Sequence, residues 1–430
     1  MRVLFLTCLN KSHLYAMTPL AWALQIAGHS VRVASQPDLA DDVARTGFTP
    51  VPVGDALNLN AKLGDAEPQP AAPRPRGPVQ VAKPVQSTFP QDPHGHLSEI
   101  GRGFFPMICP DRMFDDLVDV ATSWRPDLVI WNTLAFAGPV AALACGAAHA
   151  RLLFGADGLA QIRTAFHRQR AAHTGEPLDD PLEEWLAPKL DRFGEKFGED
   201  VVLGQWTMDP MPSWVPHPQS DVHYVPMRHV PYNGPGAVPE WAGRPAERRR
   251  VVVTLGTSHR ESHGIEVPVS ELLDGVADLD VEVIATFDRQ QMGRLTSVPD
   301  NVRVVDFVPL NTVLPTTSAI VHHGGTQTFA SALEHGVPQL IAPSTYWTER
   351  WWGPVAEANG LEARGAGLWV GDSDTLTADS LRDGLVRVLD DPSYAVQAGA
   401  VRAERLGTPT PNELVHVLEK LTDQRRGVRL

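Results

Sequence analysis

Residues 320–343 read IVHHGGTQTFASALEHGVPQLIAP, from Ile320 to Pro343. An apolar strand end, a double glycine, a helix-like run, a second turn and a second apolar run follow one another. Gly324 and Gly325 permit tight turning and let a ligand approach the main chain. Thr326, Gln327 and Thr328 then open a helix whose first amides have no partner within it. Free N–H groups and the helix dipole make such a start attractive to phosphate. His322 and His323 stand just before the turn, placed to add hydrogen bonds to the same phosphates. Gly336 and Pro338 end the helix, and Leu340-Ile341-Ala342 begins the next strand. A plain strand–helix–strand unit with two incidental histidines would read the same way. The stretch therefore decides the local fold and leaves its use open.

The same alternation extends on both sides. Downstream of residue 250 the strands are Arg250–Leu255, Val281–Thr286 and Val302–Phe307. The helices there are Val269–Val276, Leu310–Leu314, Leu376–Leu389 and a long closing helix, Pro411–Arg425. In the first half, residues 3–8 form an apolar run suited to a central parallel strand. Asn10-Lys11-Ser12-His13 reads as a loop, Ala16–Ala27 as a helix, Val31–Ala34 as a strand. Leu39–Arg45 is a helix and Thr49–Val53 a third strand. Phe114–Trp124 is a helix and Asp127–Trp131 a strand, with Asn132 at its carboxyl end. A helix begins at Gly138, and residues 177–206 are mainly helical. Residues 207–250, rich in proline and glycine, mark the domain boundary. The expected architecture is α/β: two doubly wound Rossmann-like domains facing across a cleft. The divisions are residues 1–225, a Pro-rich linker at 226–249, residues 250–410, and a helix at 411–430 that returns to the first domain. Residues 65–95, crowded with proline, read as a long loop without regular structure, either a passive insertion or a substrate lid.

Composition narrows the partners. The chain has 430 residues and a net charge of −14, from 37 basic and 51 acidic side chains. That argues against a general nucleic-acid binder. Its 3 cysteines are too few and scattered for a disulfide framework or zinc site, which suggests a reduced, cytoplasmic setting. The first residues read as a buried strand, not a signal peptide, and no apolar run is long enough to span a bilayer.

Several residues could carry chemistry. His13 lies at the carboxyl edge of the first sheet and could take a proton from a substrate hydroxyl, or be a solvated loop histidine. Asn132 sits where an orienting partner of such a base would come from, but its amide carries no charge. Gly256-Thr257-Ser258 could contact a phosphate or be an ordinary turn. It is neither a nicotinamide fingerprint nor a Walker loop. Phe307 could stack on a flat base whose edge the main chain of Val308 reads, or be a plain aromatic at a strand end. In Tyr346–Trp352, aromatic faces suit sugar C–H groups and Glu349 can accept from sugar hydroxyls. The other reading of that segment is domain packing.

In order along the chain stand Lys11-Ser12-His13-Leu14, Pro19-Leu20-Ala21-Trp22-Ala23 and Trp124-Arg125-Pro126-Asp127-Leu128-Val129-Ile130-Trp131. Gly204-Gln205-Trp206-Thr207, Tyr232-Asn233-Gly234-Pro235, Ala285-Thr286-Phe287-Asp288 and Val321-His322-His323-Gly324-Gly325 complete the series. Over nearly its whole length the chain resembles nucleotide-sugar-dependent glycosyltransferases of the GT-B fold. It looks most like actinobacterial deoxysugar transferases that decorate macrolides and anthracyclines. The resemblance implies an acceptor-binding first domain with His13 as general base, and a nucleotide-sugar-binding second domain. There His323 and the Gly324–Thr328 turn would hold the diphosphate, with His322 beside them. Phe307 and Val308 would take the base of a TDP-sugar, and Thr257 would add a hydroxyl. The implied reaction is one inverting displacement that needs no catalytic metal, with charge building on the departing phosphate. A cytochrome-like helper on the first domain is carried over as an expectation, and a homodimer is a further one.

The sequence departs from the family pattern in four places. Asn132 stands where relatives often carry an acid, with Asp111 as one possible substitute. Gln327 replaces a smaller residue, the segment around Thr348-Glu349 is altered and longer, and residues 65–95 have no clear counterpart. Two other readings stay open: a GT-B nucleotide-sugar epimerase and a sugar-nucleotide-binding partner without chemistry.

Overall fold

The structure, a computed structural model, describes residues 1–58, 92–217, 221–255, 269–287, 289–293, 295, 297–343, 353–373 and 376–425. Thr257, Glu349 with the rest of Tyr346–Trp352, and most of the Pro-rich segment lie outside the described residues.

The first sheet has the order β3-β2-β1-β4-β5-β6-β7. Its strands are β1 (Arg2–Leu6), β2 (Ser30–Ser35), β3 (Pro50–Pro52), β4 (Leu128–Asn132), β5 (Ala148–Leu152), β6 (Thr207–Asp209) and β7 (Tyr224–Pro226). The second has the order β10-β9-β8-β11-β12-β13. It comprises β8 (Arg249–Thr254), β9 (Val281–Thr286), β10 (Val302–Val305), β11 (Thr317–His322), β12 (Gln339–Ile341) and β13 (Gly367–Trp369). Every recorded pairing is parallel. In each sheet the strand order reverses once, between β1 and β4 and between β8 and β11. Such switch points open a crevice at the carboxyl ends of the strands, where doubly wound sheets bind ligands. His13 follows β1, Asn132 ends β4 and His322 ends β11, so the candidate residues converge on both crevices.

The sheets are buried on both faces, which explains why their strands read as apolar runs without alternation. Leu4, Leu6, Val129 and Trp131 face the helix Asp111–Trp124, which contributes Met113, Phe114 and Leu117. Val3, Phe5, Leu128 and Ile130 meet Leu14, Leu20 and Leu24 of the helix Lys11–Ile26 on the other face. Leu414, Val415 and Leu418 of the closing helix Pro411–Arg425 join that same cluster, so the end of the chain packs on the first domain. Around the second sheet, Val251, Val253, Val283 and Val321 pack with Leu272, Leu381 and Leu385.

Three local expectations are corrected. Asn10–His13 is not a loop: the helix begins at Lys11, because Asn10 accepts from the Ser12 amide at 3.1 Å and caps it. Regular structure also enters the Pro-rich regions. Pro93–Glu99 is a helix with Asp92 as its cap and proline in its first turn, where the missing N–H is not needed. The boundary region holds β6 and β7, and β7 tolerates Pro226 because it is an edge strand.

A buried ion pair fixes the loop after β5. Arg151 and Asp157 form a bidentate pair with both side chains fully buried. Asp157 also accepts from the Ala160 amide at 3.0 Å and from the Tyr224 hydroxyl at 2.8 Å. Removing one partner of a buried pair leaves the other charge unmatched. Asp157→Ala is therefore expected to destabilise the protein by about 3–5 kcal/mol. A lowered urea midpoint at unchanged slope measures it; a loss below about 1 kcal/mol would show that the pair does not hold the loop.

Candidate active site

The site is built from one histidine of the first domain and one turn of the second. His13 lies in the first turn of the helix Lys11–Ile26, almost wholly buried. Its ring stacks on Phe154, with centroids 4.1 Å apart and planes at 23°. Burial pushes its pKa down to about 4, opposed by Asn132 and the backbone of Cys8. The imidazole is therefore neutral at ordinary pH, as a proton acceptor must be. Asn132 ends β4 nearby, and its Oδ1 accepts from the Leu134 amide at 3.2 Å. Asp111 is no substitute partner: its carboxylate is 84 % exposed and paired with Lys189 at 2.8 Å.

In the second domain the two histidines divide their labour. His322 is buried, and both its ring nitrogens are used inside the protein. Nδ1 accepts from the Gly324 amide at 3.1 Å, and Nε2 lies 2.9 Å from Gln339 Oε1. These contacts set the tautomer with hydrogen on Nε2. Burial pushes its pKa down to about 4, opposed by Gln339. His322 is thus the latch of the turn and holds no spare nitrogen for a phosphate. His323 follows directly past the end of β11 and is half-buried. Its ring lies over Gly325, where an added Cβ would sit 2.9 Å from Nε2. Gly324 itself has φ +84°, which disfavours any side chain there.

Gly325 caps the helix Thr326–His335 without a side-chain hydrogen bond, so the first-turn amides of Thr326, Gln327 and Thr328 face the crevice as donors. Thr328 is buried, while Thr326 and Gln327 are partly exposed. Phe307, 41 % exposed, stands past the end of β10, and the buried Val308 follows it. The hinge segment reaches the same place. A Cβ on Gly236 would lie 2.6 Å from the Phe307 ring, and Asn233 Oδ1 accepts from the Asn311 amide at 3.0 Å.

The loop after β5 joins the two halves. Phe154 carries His13, and Gly155 meets the cradle: a Cβ there would lie 2.9 Å from Thr326 Oγ1 and 3.8 Å from Glu357 Oε1. Neither Phe154 nor Gly155 stands out in the sequence reading, although Phe154-Gly155-Ala156-Asp157-Gly158 carries turn residues between a strand and a helix. Nor does Glu357 stand out. It looks like a surface residue in Ala-Glu-Ala-Asn, yet it is fully buried.

Two doubly wound parallel-sheet domains, joined where the loop Phe154-Gly155 lies between His13 and Thr326, have the architecture of GT-B glycosyltransferases. Comparison with known proteins gives the same answer. The profile of the Erythromycin biosynthesis protein CIII-like N-terminal domain matches residues 22–256, and that of the corresponding C-terminal domain matches residues 270–421. The chain belongs to this family. It is 47 % identical over 435 residues to the aclacinomycin-T 2-deoxy-L-fucose transferase of Streptomyces galilaeus, covering 99 % of this chain and 97 % of that one. It is 40 % identical over 430 residues to the 3-alpha-mycarosylerythronolide B desosaminyl transferase of Saccharopolyspora erythraea, covering 100 % of both. The crystal structure of glycosyltransferase VinC in complex with dTDP superposes with a TM-score of 0.84 at 39 % identity, covering 99 % of this chain and 100 % of that one. The protein is a glycosyltransferase, and the epimerase and non-enzymatic readings find no support in these relatives. Among the described residues, no helix is long and apolar enough to cross a membrane.

Proposed function

We propose that this enzyme moves a deoxysugar from a TDP-sugar to a hydroxyl of a polyketide aglycone, with inversion at the anomeric carbon. The single observation behind this reading is the loop at Phe154-Gly155, which touches both His13 and Thr326 and so sets base and cradle against each other. The relatives, named as transferases of deoxysugars to such aglycones, supply the substrate class.

His13 takes the proton of the acceptor hydroxyl as the oxygen forms its bond to the anomeric carbon. The bond from that carbon to the β-phosphate oxygen breaks, and TDP leaves with the electron pair. The amides of Gly325–Thr328 and the helix dipole meet the charge that builds on the leaving phosphate, which is where stabilisation accelerates the step. His323 adds its ring at the same turn, and Phe307 with the main chain of Val308 receives the thymine. Thr257 would add a hydroxyl to the diphosphate, and Glu349 would accept from the sugar. Asn132 orients His13 without supplying charge.

The test is transfer in vitro: purified enzyme, TDP-deoxysugars with and without an amino group, and macrolide and anthracycline aglycones, read by mass. Gain of one sugar by an aglycone is the expected result. TDP release at the rate of the acceptor-free control, with no glycoside, would sink the reading. A cytochrome-like helper on the first domain belongs to the same proposal, and full activity of the chain alone would remove it. A light-scattering mass does the same for the homodimer.

A further inference from the structure

Glu357 has no part in the mechanism above. It lies on the helix Gly353–Ala363, and Thr326 Oγ1 is bonded to its Oε1 at 2.8 Å. Its second oxygen, Oε2, is buried with no hydrogen-bond partner among the described residues. Thr326 is the first residue of the helix read as the diphosphate cradle. A carboxyl group at that position is unexpected, because an ionised carboxylate there would compete with the diphosphate for the helix start and repel it.

We propose that Glu357 works as a neutral acid, a positioning residue that aims the Thr326 hydroxyl at the donor's diphosphate, so that nucleotide binding fails once Glu357 ionises. The inference rests on reading Gly324–Thr328 as the cradle. A protonated Glu357 can donate to Thr326 Oγ1 and leave the threonine's own hydrogen for a phosphate oxygen. An ionised Glu357 instead takes that hydrogen and sets a further negative charge beside the diphosphate.

The surroundings favour the neutral form. Burial pushes the pKa of Glu357 up to about 8, with Thr326 the one opposing influence. Among the described residues no charged side chain acts on it. Across the cleft it meets Gly155, and the carboxylate of that loop, Asp157, is taken by Arg151 and Tyr224. The titratable group of the turn is His323, whose ring lies over Gly325. Glu334 and His335 sit at the far end of the cradle helix. Glu362 stands further along the same helix as Glu357, and Arg364 just beyond its end.

The test is calorimetric titration of the whole enzyme with TDP at pH 7, 8 and 9, each in two buffers of different ionisation enthalpy. The terminal phosphate of TDP has its second pKa near 6, so the ligand stays fully charged throughout. The expected result is a Kd about tenfold weaker at pH 9 than at pH 7, with uptake of nearly one proton per TDP at pH 9. Glu357→Gln, neutral at every pH, is expected to give a flat profile and no uptake. A flat wild-type profile with no proton uptake would overturn the proposal, as would an unchanged pH dependence in Glu357→Gln. If the glutamine variant does not fold, the wild-type proton count alone decides. Failure of the cradle reading looks different: Gly324→Val, which disturbs the turn at φ +84°, would leave TDP affinity at pH 7 unchanged.

Discussion

A His13→Ala enzyme is expected to transfer sugar about 10²–10⁴-fold more slowly than the parent, the usual weight of a positioned general base. TDP binding should stay within about twofold, because no part of the proposed cradle touches His13. The pH profile identifies the base further. Burial holds the His13 pKa at about 4, and the base form is the neutral one. Transfer should therefore be flat from pH 7 to about pH 5.5 and be lost only as pH falls through about 4. An exposed histidine would lose activity near pH 6.5. Asn132→Asp puts a carboxylate beside the ring, which favours the imidazolium and should move the acid limb upward. A limb near 6.5 in the parent, or no change with Asn132→Asp, would contradict the buried, uncharged dyad described here.

The second large effect is expected at Gly155. Any side chain there starts 2.9 Å from Thr326 Oγ1, closer than carbon and oxygen tolerate, and 3.7 Å from its Cβ, so with Gly155→Val the loop and the Thr326 side chain are expected to move apart. Phe154 would move with the loop and take the His13 ring along. Displacements of about 1 Å between catalytic groups and substrate can lower rates about 10²-fold, and that is the expected loss in kcat/KM. Gly158→Ala is the control, since its new methyl meets nothing within 4 Å. Full activity in Gly155→Val would show that the loop does not set base against cradle.

The legible parts of this protein are those where one local signal settles the matter. Residues 3–6 and Val251–Val253 are apolar without alternation because helices cover both faces of each sheet, and this gives away a parallel α/β fold. The helix Val269–Val276 ends and the helix Pro411–Arg425 begins where predicted, because apolar spacing and end signals coincide. Periodicity names an apolar face but not the surface it meets. The packing of Leu414 and Leu418 against the first sheet is a long-range fact of that kind. Buried ionisable side chains are the least legible. Arg151, Asp157 and Glu357 belong to residue types that are almost always exposed, and only their partners across the fold explain their burial.

The site follows the same rule. The double glycine and the helix start were visible at residues 324–328, because backbone conformation is written locally. The split between His322 and His323 is not, because it depends on partners elsewhere in the fold. Gln339, the partner of His322, lies a full helix later in the chain. The acceptor half is legible at His13 and Asn132, whereas the ring's support, Phe154, comes from a different strand and loop.

A crystal structure of the enzyme with TDP bound would test the central claim most directly. The diphosphate should lie on the amides of Gly325–Thr328 beside His323, with thymine against Phe307, and His13 should face it from beyond Phe154. A diphosphate bound away from that turn, or a base held elsewhere than at Phe307, would contradict the account.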